Sequence, residues 1–307
     1  MNNPFNDAQI QPFCALVEDD ATAILQFVEG ALTAGQGCAL VTLVDIGGSA
    51  ARSLGAQMAV AEDGAYCGFV SGGCVEAIVA QEALLAIAAN RDRQLRLGKG
   101  SAYFDIVLPC GSSILLAIHV VRQREPIREV LAAHHRRRAA GLAYDPVECR
   151  LTAIALSEDA QRCSGWDDDV FVTVYRPGLR LVVCGTGQEA TMLARIAGAL
   201  GIEMVSGLDL EPVDRSSAIV MLYHDLDRET RLLGDALRSA AFYIGCLGSL
   251  KTHQQRCSRL REQGFAEEQI AAIRAPIGLF GPTRDARSLA VSIVAEILSL
   301  RNISVSQ

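Results

Sequence analysis

Residues 179–209 constrain the fold of this chain more than any other stretch. Residues 179–184 are a short, β-branched apolar run that reads as a buried strand. Gly185-Thr186-Gly187-Gln188-Glu189-Ala190 follows, then a helical pattern to about Leu200, then a second strand over 202–208 that ends at Asp209. Strand, G-x-G-x-x-A turn, helix and strand make a βαβ unit, and such units build parallel sheets with helices on both faces. The glycines permit a tight turn and close backbone approach, and the helix start favours a phosphate. Asp209 stands 24 residues after Gly185, near the separation of a ribose-binding acid. Gly185, Gly187 and Asp209 are therefore the candidate nucleotide-phosphate residues of this half.

The same alternation continues downstream. Residues 218–223 form a strand that ends in His224-Asp225, and 241–244 form another that runs into Gly245-Cys246-Leu247-Gly248-Ser249 and a helix carrying Lys251, Thr252, His253 and Arg256. Both ends lie where open α/β sheets bind ligands. Gly245, Gly248, Ser249 and Lys251 are candidates for a second anion site. Residues 275–279 read as a short strand or loop, and 286–301 as a closing helix. Arg176-Pro177-Gly178 is the best domain boundary, a turn signal before the pattern changes.

The first half reads differently. Residues 13–35 have helical apolar spacing, with Leu16, Ile24, Phe27, Val28 and Leu32 in phase. Residues 38–44 read as a buried strand, 45–52 as a glycine-containing loop, and 57–61 and 66–70 as a hairpin turned at Glu62-Asp63-Gly64. The second hairpin strand leads into Ser71-Gly72-Gly73-Cys74-Val75-Glu76 at the start of an apolar helix over 75–89. Strands over 102–108 and 113–121 flank Pro109-Cys110-Gly111-Ser112, a helix covers about 126–140, and strands follow near 150–156 and 170–175. The expected fold class is α/β: a mixed α+β N-terminal domain over 1–176, then a Rossmann-like parallel-sheet domain over 177–307.

Cys74 and Cys110 are both turn cysteines beside glycine, whereas Cys38, Cys184 and Cys257 fall inside strands or helices. A helix start carries free N–H groups and positive partial charge, and a cysteine there tends to ionise more easily than a free one. Two such thiols suit a soft metal, sulfur transfer or a redox-labile pair. Glu76 is either a helix-start acid or a proton-handling or positioning group beside the thiol. Arg52 is a surface residue or an anion clamp. His224 with Asp225 would orient a ligand or form a plain hydrogen bond.

Composition closes off other classes. The net charge is −7, which argues against a nucleic-acid binder. The basic stretch over 122–138 reads as a solvated helix end. None of the ten cysteines forms a CxxC pair, so zinc-ribbon and thioredoxin signatures are absent, and most of the ten are expected to be buried and inert. The N-terminal residues lack a secretory signal pattern and no apolar run reaches a membrane span, which leads to the expectation of a cytoplasmic protein with free thiols. The zincin, P-loop and nucleophile-elbow motifs are absent too.

Several of these segments together resemble one family. Gly55-Ala56-Gln57-Met58-Ala59-Val60, Ser71-Gly72-Gly73-Cys74-Val75-Glu76 and Leu108-Pro109-Cys110-Gly111 are similar to the N-terminal domain of the XdhC/CoxI family. Cys184-Gly185-Thr186-Gly187, the stretch Tyr243-Ile244-Gly245-Cys246-Leu247-Gly248-Ser249-Leu250-Lys251-Thr252-His253 and Ala275-Pro276-Ile277-Gly278-Leu279 resemble its Rossmann domain. The resemblance implies an accessory protein of xanthine dehydrogenase or a related molybdenum hydroxylase, not an enzyme. It implies a chaperone that binds molybdenum cofactor of the molybdopterin type and works with a cysteine desulfurase to sulfurate it. The product would then be delivered to the apo-enzyme. On that reading Cys74 and Cys110 are the cofactor, sulfur or molybdenum contacts. Arg52, Gly72, Gly73 and Glu76 shape their site, and Gly185, Gly187 and Asp209 hold a nucleotide or pterin phosphate. A homodimer is compatible with two apolar-rich domains. The alternative is an NAD(P)-dependent oxidoreductase using the Rossmann half, with His224 or Lys251 as proton donor.

Overall fold

The structure, a computed structural model, describes residues 10–98, 113–157, 162–207, 213–223 and 225–305, with side chains described through Arg301. The chain divides into two compact units, Met1–Arg176 and Pro177–Gln307.

In the first unit, β1 (Phe13–Leu16), β2 (Cys38–Gly47), β3 (Gln57–Ala61), β4 (Ala65–Gly68), β5 (Arg93–Gly98) and β6 (Ser113–Val120) form a sheet in the order β1-β4-β3-β2-β6-β5. Strand β2 is buried on both faces through Val44 and sorts its side chains by alternation. Cys38, Leu40 and Val44 face α1 (Ala21–Thr33) and α3 (Glu125–His135), while Ala39, Val41 and Leu43 face α2 (Glu76–Ala88). Each fully buried aliphatic side chain contributes roughly 1.5–3 kcal/mol. A second sheet, β8-β7-β10-β9, is built from β7 (Ala140–Asp145), β8 (Arg150–Ala155), β9 (Gly165–Asp167) and β10 (Val170–Tyr175). Its Leu142, Tyr144 and Phe171 share the α1/α3 core.

The single helix expected over 13–35 is a strand and a helix. Phe13–Leu16 pairs in parallel with β4. The Glu18 carboxylate accepts the Asp19 and Asp20 N–H groups, and Asp20 caps α1 by accepting from Ala23 N at 2.9 Å. Such a cap fixes where a helix begins, whatever the apolar spacing upstream. Strand β2 extends to Gly47, into the expected loop, because it stays paired with β6 through Gly47↔Ser113. Helix α3 stops at His135, and Arg137 at φ +54° turns the chain into β7. The strand expected over 102–108 lies outside the described residues.

The second unit carries a five-stranded parallel sheet in the order β12-β11-β13-β14-β15. Its strands are β11 (Arg180–Cys184), β12 (Glu203–Ser206), β13 (Ser217–Met221), β14 (Tyr243–Cys246) and β15 (Ile273–Arg274). Helices α4 (Gln188–Ala199) and α8 (Ala286–Val305) cover one face. Helices α5 (Leu226–Arg238), α6 (Leu250–Glu262) and α7 (Glu267–Ala271) cover the other. This is the doubly wound Rossmann-type arrangement expected from residues 179–209. Residues 275–279 are not a strand; β15 ends just before them. Among the described residues, no helix is long and apolar enough to cross a membrane.

The expectation that most cysteines are buried does not hold. Of the described cysteines, Cys38, Cys67, Cys184 and Cys246 are buried, Cys149 and Cys257 are half-buried, and Cys14, Cys74 and Cys163 are exposed. Burial pushes the Cys38 thiol up to about 12 and that of Cys67 up to about 11, so these stay protonated. The exposed ones sit on an edge strand or in turns, where no sheet covers them.

Candidate functional site

The turn between β4 and α2 is shaped from below by one carboxylate. Glu76 is only 2% exposed. It accepts Ser71 N–H at 2.8 Å, Ser71 Oγ–H at 2.8 and 2.9 Å, and Val75 N–H at 3.1 Å. Ser71 Oγ in turn accepts Gly73 N–H at 3.2 Å. A buried carboxylate is tolerated when such donors surround it. The loop is thereby pulled over Glu76, with Gly73 at φ +99° supplying a backbone shape that L side chains rarely adopt. Gly72, Gly73 and Cys74 are left exposed at the top. Helix α2 has no side-chain cap from Val75; Val75 N–H goes to Glu76 and Ile78 N–H to Val75 O at 3.0 Å, which leaves the Glu76 and Ala77 N–H groups at the helix start beside the thiol. Arg52 closes one side: its Nε donates to Ser71 O at 3.3 Å, its Nη1 to Asp19 at 2.9 Å, and its guanidinium lies 5.9 Å from the Phe69 ring centre.

Arg52, Gly72, Gly73, Cys74 and Glu76 thus meet in one place. Of the two readings left open for Glu76, the geometry gives a structural role: its oxygens face the loop's own donors. Cys110 lies outside the described residues.

The second unit places a cleft of about 830 Å³ at the carboxyl ends of its strands. Gln188 and Glu189 at the start of α4 line one side, Leu247-Gly248-Ser249-Leu250 another, and a strap over 276–286 the third. Gly185 has φ +137°, and a Cβ there would lie 2.8 Å from Leu222 O. Only glycine lets β11 turn so close to β13. Gly187, at φ +118°, is the N-cap residue of α4, and a Cβ there would lie 3.4 Å from Glu189 Oε2. Gly245 is removed from the anion-site set. It is inside β14, and its missing Cβ makes room for Ile277, whose Cδ1 would be 2.6 Å away. Asp225 caps α5 by accepting from Asp227 N–H at 2.9 Å. Asp209 and His224 lie outside the described residues.

Sequence reading placed Arg256 on its helix without seeing its partners, and missed Glu229, Ser292 and Glu296, which bond the walls of this cleft. Arg256 is fully buried and pairs with Glu229 through Nε–Oε1 at 2.7 Å, while its Nη2 donates to Leu247 O at 2.9 Å. The strap is held by α8. Glu296 accepts Gly278 N–H at 2.8 Å and the Tyr243 hydroxyl at 2.5 Å, and Ser292 Oγ accepts Phe280 N–H at 2.9 Å and donates to Phe280 O at 2.6 Å. Burial, then Glu296, keeps the Tyr243 phenol protonated for this bond. The sequence signal available was weak: a charged residue on an otherwise amphipathic helix face.

Fold and site define a two-unit α/β protein. One unit presents a thiol on a glycine turn, and the other offers a Rossmann-type crevice. Residues 31–98 match the model of the XdhC and CoxI family and residues 181–297 that of the XdhC Rossmann domain. The chain is 44% identical over 297 residues to the molybdenum cofactor insertion chaperone PaoD of Escherichia coli, covering 95% of this chain and 92% of that protein. It therefore belongs to the XdhC and CoxI family. It is also 28% identical over 283 residues to the uncharacterized protein YqeB of Escherichia coli, spanning 46% of that longer protein. A solved structure described as a xanthine dehydrogenase from Bacillus halodurans superposes with a TM-score of 0.70 at 18% identity, covering 91% of this chain and 96% of that one. At that identity the likeness concerns the fold alone.

Proposed function

We infer that this chain is a chaperone whose cargo is molybdenum cofactor, with Cys74 as a sulfur contact to that cargo. The observation that carries the reading is the near full-length relationship to a protein named as a molybdenum cofactor insertion chaperone. The turn around Cys74 fits the cargo: an exposed thiol is a soft donor, and the adjacent helix start has the Glu76 and Ala77 N–H groups to offer to oxyanions. Cys110 is the second proposed contact and Arg52 a flanking cation. Gly185 and Gly187, with Asp209, would receive the phosphate end of the cofactor in the second unit.

The finer reading follows the same line. The chaperone supports sulfuration by a cysteine desulfurase and hands the cofactor to xanthine dehydrogenase or a related molybdenum hydroxylase in the cytoplasm, acting as a homodimer and not as a catalyst. The rival reading as an NAD(P)-dependent oxidoreductase draws on the 830 Å³ cleft. Titration with NADH separates the two, because tight binding with hydride turnover belongs to the oxidoreductase alone. The direct test is pterin loading. Cys74→Ala and Cys110→Ala should each lower the molybdopterin that copurifies with the chain, and unchanged loading in both removes the thiol-contact role.

A further inference from the structure

The first unit holds a second cluster of titratable groups, remote in sequence from the β4–α2 turn. Helix α2 ends on Asn90 in the left-handed region at φ +44°, with Asn90 N–H on Ile87 O and Arg91 N–H on Ala86 O, a common helix stop. Asp92 follows directly and is 5% exposed at its side chain. Four donors converge on it. His119 Nδ1 is 2.6 Å from Oδ2, Tyr144 OH donates to Oδ2 at 3.0 Å, Arg122 Nη1 to Oδ1 at 2.8 Å and Val120 N–H to Oδ1 at 3.2 Å. Burial by itself would raise the Asp92 carboxyl, but the His119 contact, Arg122 and the Val120 N–H hold it below its ordinary value.

Beside an ionised Asp92 the neutral imidazole of His119 takes the tautomer with its proton on Nδ1, in which Nε2 keeps its lone pair. His119 is 6% exposed. Its Nε2 has no hydrogen-bond partner and is not among the sealed, unsatisfied atoms of the described residues. It opens into a cavity of about 220 Å³ lined also by Arg122, Gln123, Glu148, Cys149, Arg150 and Leu151. Gln123, Arg150 and Leu151 carry this cavity into a groove of about 600 Å³. A ring nitrogen with no protein partner that faces a cavity is open to a ligand or to water.

The lining says what kind. Arg122 spends its guanidinium on Asp92 and on the Val120, Cys149 and Asn90 carbonyls, so it supplies charge and fixes the wall. Arg150 carries no ion pair among the described residues and is exposed on β8 at the cavity mouth. Glu148 is the opposing acid. Burial, then the charge of Asp92, pushes the Cys149 thiol up, so it stays protonated and donates to Pro146 O at 3.6 Å. A metal is disfavoured, since no three metal-ligating side chains cluster among the described residues. A lone-pair acceptor beside a free cation suits an anion that also carries a proton to donate.

We propose that this pocket binds a hydrogen phosphate or the singly protonated form of a phosphomonoester, with His119 Nε2 accepting its O–H, Arg150 pairing its charge, and the adjoining groove taking the organic part. The site is separate from the cargo turn, and its test does not depend on cofactor. The full chain is titrated with inorganic phosphate while the His119 imidazole resonances are followed by NMR. A saturable shift in the millimolar range is expected. His119→Asn keeps an N–H for Asp92 but deletes Nε2, and should weaken phosphate binding about tenfold, while Arg150→Gln weakens it about threefold. Sulfate, which has no O–H at neutral pH, should bind about tenfold more weakly than phosphate. Absence of a saturable shift, equal binding by His119→Asn, or equal binding of sulfate overturns the proposal and leaves Nε2 facing water alone.

Discussion

Two glycine-rich turns lead from strand to helix in this protein, and they are built by opposite means. The β4–α2 turn is held by side chains: Glu76 reaches back to Ser71 and Val75, and the loop is draped over its carboxylate. The β11–α4 turn is held by backbone proximity, with Gly185 pressed against Leu222 O. The first turn displays a thiol; the second displays main-chain atoms with the Gln188 and Glu189 side chains beside them. A side-chain brace leaves an exposed thiol at the helix start, whereas a contact brace leaves glycine there.

The largest effect should come from removing the side-chain brace. Glu76→Ala strands the Ser71 hydroxyl and two buried N–H groups, and should lower stability by about 3 kcal/mol in urea unfolding. A loss below about 1 kcal/mol would mean that the turn holds itself. Gly185→Ala tests the contact brace. It meets both a positive φ and the Leu222 carbonyl, and should cost about 2 kcal/mol, read as a shifted midpoint of the same experiment.

Asp92 extends the side-chain device to a second place in the first unit. Its folded-state carboxyl is held below the unfolded value, so its contribution is present above about pH 4 and lost as pH falls through the folded value. Asp92→Asn should therefore destabilise at pH 7 by about 1.5 kcal/mol and flatten the acid limb of the stability–pH curve. An unchanged acid limb would place the acid sensitivity elsewhere. Gly73→Ala should cost less, about 1 kcal/mol, because its φ is positive but nothing lies within 4 Å of the added Cβ. If Gly73→Ala proves as costly as Gly185→Ala, the contrast between the two turns fails.

The second unit was largely legible in the sequence. Its central strands β11, β13 and β14 are largely apolar runs buried on both faces, and the punctuation by Gly185 and Gly187 left little choice of topology. The first unit was less so. Phe13–Leu16 lies in phase with α1 because four apolar-rich residues fit either period, and it is the Asp20 cap that separates them. Helix α5 went unread because its sequence is dominated by charges and its apolar side is narrow. Of the sites, the Ser71–Glu76 turn was visible as a motif, but the burial of Glu76 was not, since a first-turn acid looks alike whether it faces water or the loop above it. The cluster of Asp92, His119, Arg122 and Tyr144 had no local signature at all. Its members come from a helix stop, two strands and a connection, joined only by the fold.

The account turns on Cys74 being exposed for its cargo and not for packing. Cys74→Ala should leave the urea midpoint within about 0.5 kcal/mol of the parent, since the side chain is exposed. The decisive measurement is the molybdopterin released from purified Cys74→Ala, quantified by mass spectrometry beside the parent chain. The account predicts a marked loss of bound pterin at unchanged stability; parental loading would contradict it.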